Sequence, residues 1–411
     1  MTHYNRVLSL TTAFLITILL TVTGSISPYA ESTFTQGDFE YVISGQNEVM
    51  LYKYLGSGSA LSLPKTISGM SVTGIYSGCF RDSQVESVTI PDTYTAIESD
   101  AFYNCTALNE ITLPKKLTML GNAAFQNCSA LSRFDASKSV LLTSLPDYAL
   151  SGTISLNTVL FPSGLLEIGK YVFSNSGISE IIIPANVEKV STGAFRNCSG
   201  LTKVKLSSQM NSVSANCFSG CSSLSSVTIP NSVDTIGDNA FYGCTSLERI
   251  DLPSSIYDFG KFAFYGCTSL REIDLPNFTT TIGEGCFQND TAIKKLFIPP
   301  TVVNIGANCF APMSYGKTIE VTCFNDTYAY EYCYDNFVVN LKGIDYRDGD
   351  FSLDGSLNIS DVTAIQKYIA GLRDIEFRQS LKIGDVNGDG EISVRDATLI
   401  QMRIADIITH F

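Results

Sequence analysis

The sequence predicts an α/β repeat solenoid with a parallel sheet, followed by a small all-α module. A unit that recurs about every 23 residues indicates the solenoid, and an acidic stretch that occurs twice near the C-terminus indicates the module. Most units carry Pro at the end of a β-branched run and Phe eleven residues later. These pairs are Pro91–Phe102, Pro114–Phe125, Pro162–Phe173, Pro184–Phe195, Pro230–Phe241, Pro253–Phe264, Pro276–Phe287 and Pro299–Phe310. Such a period is typical of stacked turns that bury their apolar sides against their neighbours.

Each unit contains one predicted strand and one predicted turn. Apolar residues alternate from Ile111 to Leu113, as in a half-buried strand, and Pro114 ends the strand because it has no N–H to donate. The stretch Gly237–Phe241 predicts a tight turn with a short helical piece. Six residues after each Pro lies an apolar side chain, namely Ile97, Leu120, Ile168, Val190, Ile236, Phe259, Ile282 and Ile305. Stacking of the units predicts one long, continuous parallel sheet.

The N-terminal residues 1–30 predict a secretory signal peptide. Arg6 supplies the positive charge, the stretch Leu8 to Leu20 is apolar, and small residues follow. The alternative is a membrane anchor, but the apolar run is shorter than the about 20 residues that span a bilayer. No second segment of spanning length follows, so we expect no membrane span in the mature chain. The net charge of −13 argues against nucleic acid as a partner.

The cysteines fall mostly into the repeat and not into a disulfide framework. Six lie three residues after the repeat Phe, namely Cys105, Cys128, Cys198, Cys221, Cys244 and Cys267, and four lie just before it, namely Cys79, Cys217, Cys286 and Cys309. Both positions favour a small buried side chain, so we expect these ten to be reduced packing residues. Cys323 and Cys333 lie outside the pattern and are the better disulfide candidates.

The repeat resembles the leucine-rich repeats of the bacterial BspA-like subclass, which carry Ile-Pro, Ile-Gly, Ala-Phe and Cys-x-x-Leu motifs. The resemblance covers roughly residues 35–340 and implies a right-handed solenoid that serves in recognition or adhesion. We predict an N-terminal cap with a first irregular repeat over residues 31–87, repeats over 88–318, and a C-terminal cap over 319–343. The all-α module then occupies residues 344–411.

That module contains two acidic loops, Asp350–Asp361 and Asp385–Asp396, which lie 35 residues apart and align position by position. Oxygen-bearing side chains at loop positions 1, 3, 5 and 12, with Gly at position 6, fit a calcium loop. The predicted ligands are Asp350, Ser352, Asp354, Asp361 and the Ser356 carbonyl in the first loop, and Asp385, Asn387, Asp389, Asp396 and the Glu391 carbonyl in the second. We therefore expect two calcium ions, the first bound less tightly because Ser352 is neutral.

Each loop leads into a predicted amphipathic helix. The apolar faces are Val362, Ile365, Ile369 and Leu372 in the first helix and Ala397, Ile400, Ile404 and Ile407 in the second. A duplicated loop–helix with Asp at position 12 resembles a type I dockerin, which implies binding to a cohesin module of a scaffoldin in a cellulosome. The resemblance implies cohesin contacts at Ile359, Ser360, Gln366, Lys367, Val394, Arg395, Gln401 and Met402. Since the two halves differ at most of these positions, we expect one dominant binding orientation.

Catalytic signals are weak. The only histidines are His3 and His410, at the two ends of the chain, so no Ser–His or Cys–His arrangement fits inside the solenoid. Asp251 and Asp274 occupy the exposed middle of adjacent predicted strands, at a spacing of about 4.8 Å that approaches the carboxyl separation of retaining glycosidases. A solvated ladder explains these carboxylates equally simply, so we predict that the protein is not an enzyme.

The sequence thus predicts a secreted, extracellular, non-catalytic protein, held at a bacterial cell surface through a scaffoldin during polysaccharide degradation. The solenoid would recognise a protein, cell-surface or plant-wall ligand through strand positions that vary along the sheet, including an exposed apolar patch at Leu160 and Ile182. A cellulosomal glycoside hydrolase acting through Asp251 and Asp274, or a free surface adhesin, is the alternative.

Overall fold

The fold was analysed in a computed structural model, which describes residues 32–310, 319–325, 327–335, 341–344, 350–352, 357–370 and 383–405. The predicted signal peptide, Asp354, Ser356, Leu372 and Ile407 lie outside the described residues. Among the described residues, no helix is both long enough and apolar enough to cross a membrane.

The N-terminal cap is a β-hairpin that begins the stack. Its strands and those of the first irregular repeat are β1 (Phe34–Gln36), β2 (Phe39–Gly45), β3 (Glu48–Tyr54), β4 (Ala60–Ser62), β5 (Thr66–Ile67) and β6 (Met70–Ile75). β1, β2 and β3 pair antiparallel, and β3 then pairs parallel with β6. The hairpin therefore covers the first apolar turn while offering a parallel edge to the next one.

Each following unit contributes a two-residue strand, and all but one also contribute a three-residue strand; the unit that contains Glu272 has only an isolated bridge to Arg249 at that position. In chain order these are β7 (Ser87–Thr89), β8 (Ala96–Ile97), β9 (Glu110–Thr112), β10 (Met119–Leu120), β11 (Arg133–Asp135), β12 (Ser144–Leu145), β13 (Thr158–Leu160), β14 (Glu167–Ile168), β15 (Glu180–Ile182), β16 (Lys189–Val190), β17 (Lys203–Lys205), β18 (Ser212–Val213), β19 (Ser226–Thr228), β20 (Thr235–Ile236), β21 (Arg249–Asp251), β22 (Asp258–Phe259), β23 (Thr281–Ile282), β24 (Lys295–Phe297) and β25 (Asn304–Ile305). β26 (Glu320–Phe324), helix α1 (Tyr328–Asp335) and β27 (Leu341–Ile344) form the C-terminal cap.

The stacked strands form two parallel sheets where the sequence predicted one. The first sheet joins the three-residue strands in the segments β4-β7-β9, β11-β13, β15-β17-β19-β21 and β24-β26-β27. The second joins the two-residue strands, with β6-β8-β10, β12-β14-β16 and β18-β20-β22-β23-β25 as its parallel runs. The prediction of a single continuous sheet was therefore wrong, because the apolar residue six positions after Pro also lies on a strand.

The Gly-x-x-Ala-Phe segment forms a run of turns and not the predicted helical piece. Within the segment, Ala240 N–H donates to the Gly237 carbonyl (3.2 Å). The alternate N–H groups point to the next unit, so that Asn239 donates to Lys261 and Phe241 to Ala263, both at 2.8 Å. Asn239 has φ 54°, in the left-handed region, which breaks any α-helix and allows this alternation. A third hydrogen-bond ladder thus runs along the solenoid beside the two sheets.

The core of the solenoid is a column of Phe rings. Rings of neighbouring units stack nearly parallel, for example Phe195 on Phe218 at 5.5 Å and Phe241 on Phe264 at 5.3 Å between centroids. Leu150 replaces Phe in one unit, and the ring of Phe134 contacts Phe125 edge-on near this gap. Full burial of such a side chain contributes about 1.5–3 kcal/mol, so the column is a principal source of stability.

The ten cysteines of the repeat are buried free thiols, as predicted. Their structure adds a polar role, because the thiol three residues after Phe donates to the Phe carbonyl of the preceding unit. Cys244 Sγ lies 3.2 Å from the Phe218 oxygen, and Cys128 Sγ lies 3.1 Å from the Phe102 oxygen. Burial raises the pKa of Cys244 far above its ordinary value, so this thiol remains a neutral donor.

Candidate metal and partner-binding site

The C-terminal module consists of two capped helices, α2 (Ile359–Ile369) and α3 (Val394–Ile404). In each helix the last Asp of the predicted calcium loop closes a capping box. The Asn358 N–H donates to Asp361 Oδ2 at 2.8 Å, and the Ser393 N–H donates to Asp396 Oδ2 at 2.9 Å. Loop position 12 therefore fixes the helix start as well as facing the loop.

The two helices pack through one small apolar cluster, formed by Phe351, Val362, Ala364, Ile365, Ala397 and Ile400. Four of the predicted face residues are thus buried. Ile369 and Ile404, predicted on the same faces, are instead 41% and 37% exposed. Each is the last residue of its helix, so it lies beyond the described contact between the helices.

The second loop turns its predicted ligand side chains towards its own backbone. The carboxylate of Asp385 accepts the Asp389 N–H (3.0 Å) and the Gly390 N–H (2.8 Å). The side-chain oxygen of Asn387 also accepts the Asp389 N–H (2.8 Å), and Asp396 Oδ1 accepts the Asn387 N–H (3.3 Å). The Glu391 N–H donates to Asp389 Oδ1 at 3.0 Å. Four oxygen-bearing side chains therefore line one tight loop.

The first loop carries a buried oxygen without a hydrogen-bond partner. Asp350 and Asp361 are fully buried, and the Ser352 N–H donates to Asp361 Oδ1 at 2.8 Å. The hydroxyl oxygen of Ser352 is buried but has no hydrogen-bond partner. An unsatisfied buried hydroxyl costs about 1–3 kcal/mol, and a bound cation would satisfy it. The donor set of both loops is made of oxygens, which is the set that calcium prefers.

In the part of the chain that the structure describes, no three His, Cys, Asp or Glu side chains converge into a metal cluster. In the second loop, the three carboxylates form a sufficient set of calcium ligands only together with the Asn387 side chain and the Glu391 carbonyl. Its carboxylates accept backbone N–H groups in this conformation.

The residues that the dockerin resemblance implicates in cohesin binding lie on the outer surface of the two helices. Ile359 and Val394 are 62% and 67% exposed, which is unusual for branched apolar side chains. Ser360, Gln366, Lys367, Arg395 and Gln401 are also exposed, and Met402 is half-buried. The structure therefore gives each helix one exposed apolar residue at its first turn, followed by polar residues.

A hydrogen bond joins the module to the solenoid. The side-chain amide of Asn277, in the turn after Pro276, donates to the Ser352 carbonyl at 2.6 Å. The equivalent residue two units earlier, Asn231, is exposed. The first loop therefore has one neighbour that the second loop lacks among the described contacts, and the two halves of the module are not equivalent.

Asp251 and Asp274 are surface carboxylates of the solenoid. Asp251 Oδ1 accepts a hydrogen bond from Arg249 Nε at 3.0 Å, and both side chains are largely exposed. Asp274 lies exposed on the next unit. Ile182 is 69% exposed and Leu160 36%, so both residues of the predicted apolar patch are exposed on the sheet face.

One buried carboxyl group was not singled out from the sequence. Asp290 occupies the position three residues after Phe287, where the two preceding units carry Cys244 and Cys267, and it is 2% exposed. Its Oδ1 accepts the Cys267 N–H at 2.7 Å, whereas Oδ2 has no partner. Burial raises the pKa of this carboxyl well above its ordinary value. The register of the repeat alone would have revealed this replacement.

Comparison with known proteins agrees with these observations. A family model described as "BspA type Leucine rich repeat region" matches residues 73–202 and 194–317, and the model of the type I dockerin domain matches residues 348–405. No curated protein matches the chain.

Solved structures of bacterial proteins share the fold. A leucine-rich cell surface protein from Faecalibacterium prausnitzii is 23% identical, with a TM-score of 0.48, and the match covers 81% of this chain and 99% of that one. The pneumococcal vaccine antigen PcpA is 18% identical, with a TM-score of 0.51, and the match covers 77% of this chain and 98% of that one. A dockerin implies cohesin binding in a cellulosome-type assembly, and leucine-rich repeats imply protein interaction. The chain belongs to the BspA-type leucine-rich repeat family and carries a type I dockerin domain at its C-terminus.

Proposed function

We propose that this protein is a secreted, non-catalytic subunit of a cellulosome-type assembly. Its dockerin binds a cohesin module of a scaffoldin in a calcium-dependent manner. Its solenoid recognises a protein, cell-surface or plant-wall ligand during polysaccharide degradation. The observation that carries the proposal is the pair of oxygen-lined loops, each leading into a capped helix with an exposed apolar residue at its start.

Calcium dependence is supported by the way the loops and helices share residues. Asp361 and Asp396 are fully buried, and each serves both as a predicted ligand and as the capping residue of its helix. A buried carboxylate is costly unless its charge is compensated. A bound Ca²⁺ supplies that compensation, so ion binding and the correct start of each helix are coupled.

A single dominant cohesin orientation is supported by the difference between the two halves. At matching positions, Ser360 and Lys367 of the first helix correspond to Arg395 and Met402 of the second. The contact of Asn277 with the Ser352 carbonyl adds a second difference, because it involves only the first loop. We therefore expect the second helix, which is farther from this contact in the chain, to provide most of the interface.

Recognition by the solenoid is supported by its varied exposed face. In five first-sheet strands, including those of Val227 and Ile250, the central residue is buried while the residues that flank it are exposed. Exposed positions change from Ile182 to Lys205 to Asp251 along neighbouring strands, whereas the buried positions stay aliphatic. A constant frame that carries a variable face is suited to binding a ligand.

Binding of the full chain to a panel of cohesin modules, measured by calorimetry in Ca²⁺ and then in chelator, tests the proposal. We expect one cohesin of the panel to bind in calcium and none in chelator. Asp396→Asn should remove one of two Ca²⁺ equivalents and weaken cohesin binding at least tenfold, or by about 1.4 kcal/mol. Asp251→Asn, which changes an exposed carboxylate of the solenoid, is the matched control and should leave both values unchanged.

Four results would contradict parts of the proposal. Cohesin binding that survives chelation would refute calcium dependence, and a lack of binding to every cohesin in calcium would refute docking. Equal losses from Lys367→Ala and Arg395→Ala would refute the single orientation. Release of reducing sugar from plant polysaccharide that is abolished by Asp251→Asn would establish the glycosidase alternative in place of a recognition role.

A further inference from the structure

Two cysteines of the C-terminal cap form a pair that the repeat does not explain. Cys323 lies on β26 and Cys333 lies on α1, and both side chains are fully buried. The two thiols are hydrogen-bonded to each other across the contact between strand and helix. Both are free thiols in the structure, so the two sulfur atoms are in contact without a covalent bond between them.

The cysteines of the solenoid have a different environment. Six of them direct Sγ to a Phe carbonyl at 2.9–3.2 Å, namely Cys105, Cys128, Cys198, Cys221, Cys244 and Cys267. In neighbouring units their side chains point the same way, about 4.8 Å apart like the strands, whereas a disulfide needs Cβ atoms about 3.8 Å apart that face each other. The cap pair differs, because its two sulfur atoms come from a strand and a helix and contact each other.

We propose that Cys323 and Cys333 form a disulfide bond that fastens helix α1 to strand β26. An external disulfide, from a small thiol compound or a disulfide-exchange protein, is the oxidant. The Cys323 thiolate attacks this disulfide, forms a mixed disulfide and releases one thiolate. The Cys333 thiolate then attacks Cys323 Sγ and releases the second. The pair loses two protons and two electrons, and the external disulfide is reduced to two thiols.

The order of attack follows from the contact between the thiols. The hydrogen bond from Cys333 lowers the pKa of Cys323, and the same contact together with burial raises the pKa of Cys333. Cys323 is therefore the first nucleophile. Since both sulfur atoms are buried in the folded cap, the exchange takes place while the cap is forming, when the two thiols are already in contact but α1 has not yet closed over them.

The position of this bond gives it a structural purpose. β26 is paired on one side with β24, the last three-residue strand of the regular units, and on the other with β27. Cys323 is directly opposite Gly343 of β27, the last strand before the dockerin. A covalent link at Cys323 thus holds the end of the solenoid together at the point where the dockerin begins.

Thiol counting on the purified full chain tests the proposal. The protein is refolded in oxidising or reducing glutathione buffer, denatured in an alkylating reagent and analysed by mass spectrometry. In oxidising buffer we expect ten of the twelve cysteines to be alkylated and one cross-linked peptide to join Cys323 to Cys333, and in reducing buffer all twelve. Cys286→Ser, which removes a buried thiol of the solenoid, should lower both counts by one.

A second measurement follows the consequence for the cap. Protease cleavage within the cap should be at least tenfold slower in the oxidised than in the reduced protein, and Cys333→Ser should abolish this difference. Alkylation of all twelve cysteines after oxidising refolding would overturn the proposal. So would a cross-link that joins two cysteines of the solenoid. Peptide mapping uses the unmodified chain, so the test holds even where a variant fails to fold.

Discussion

Asp290 should make the stability of the solenoid fall as pH rises. In this column of the repeat, the neighbouring thiols donate a hydrogen to a Phe carbonyl, as Cys267 does to Phe241 at 3.2 Å. Asp290 takes the same position one unit later, with one oxygen unpartnered and only 2% exposure. A protonated carboxyl is neutral like the thiol, whereas an ionised carboxylate places a charge in the core, which is costly. The folded protein therefore favours the neutral acid.

The direction and size of the effect follow from this preference. Burial raises the folded-state pKa of Asp290 well above 3.8, the value expected when the chain is unfolded. The stabilising contribution is thus complete below about pH 4 and is lost as pH rises towards the folded pKa. For one proton, the free energy of unfolding falls by about 1.4 kcal/mol per pH unit in that window. The titratable groups that face Asp290 are the thiols of Cys267, Cys286 and Cys309, all kept neutral by burial.

Urea unfolding of the wild type and Asp290→Asn from pH 4 to 8 measures this effect. The Asn amide supplies a donor that does not ionise, so the variant should gain stability over the wild type as pH rises. Asp290→Cys, which restores the residue of the repeat, should behave in the same way. Asp274→Asn removes an exposed carboxylate and should show a much smaller pH-dependent difference, because solvent screens it in both states. A wild-type minus Asp290→Asn difference that stays constant across the range would refute the reasoning.

Two further substitutions test packing and the junction with matched controls. Gly193→Ala should lower the melting temperature well beyond Gly243→Ala. Both glycines have positive φ (65° and 68°), but only at Gly193 would a new Cβ collide with the Tyr171 ring. Equal shifts would mean that the ring moves aside freely. Asn277→Asp should weaken the hydrogen bond to the first predicted calcium loop, which is worth about 0.5–1.5 kcal/mol, and should increase the particle dimensions in small-angle scattering. Asn231→Asp, the control, should not. Identical scattering of the two variants would show that this contact does not position the dockerin.

The side-chain pattern of the solenoid was predictable from sequence, but its backbone was not. Phe241 and Phe264 reveal their column because packing repeats the same large side chain in every unit. A two-residue strand such as β20 has only one buried residue, Ile236, and therefore shows no alternation. The turn was misread as helical because Asn239 was not recognised as a left-handed residue, although Asn is among the few residue types that favour this conformation.

In the dockerin, too, some features were predictable from the sequence and others were not. Asp361 and Asp396 were identifiable because calcium loops place oxygens at fixed positions, and both close a capping box as well. Their capping role adds to the predicted one without changing it. Ile369 and Ile404 were predicted on the buried face because helical periodicity extends to the last turn of each helix. Burial, however, also requires a neighbouring element that covers the side chain. The contact of Asn277 with Ser352 could not be foreseen, because it joins residues 75 positions apart.

The ladder through the turns has a consequence for how this protein changes length. Asn239 and Phe241 donate to Lys261 and Ala263 of the next unit, and each unit in turn receives the same bonds. A duplicated gene segment that encodes one whole unit would therefore fit between two existing units and lengthen the solenoid by about 4.8 Å. A segment that encodes only part of a unit would leave donors of this ladder without their acceptors. Evolution can thus change the length of the solenoid in steps of one unit while the dockerin stays the same.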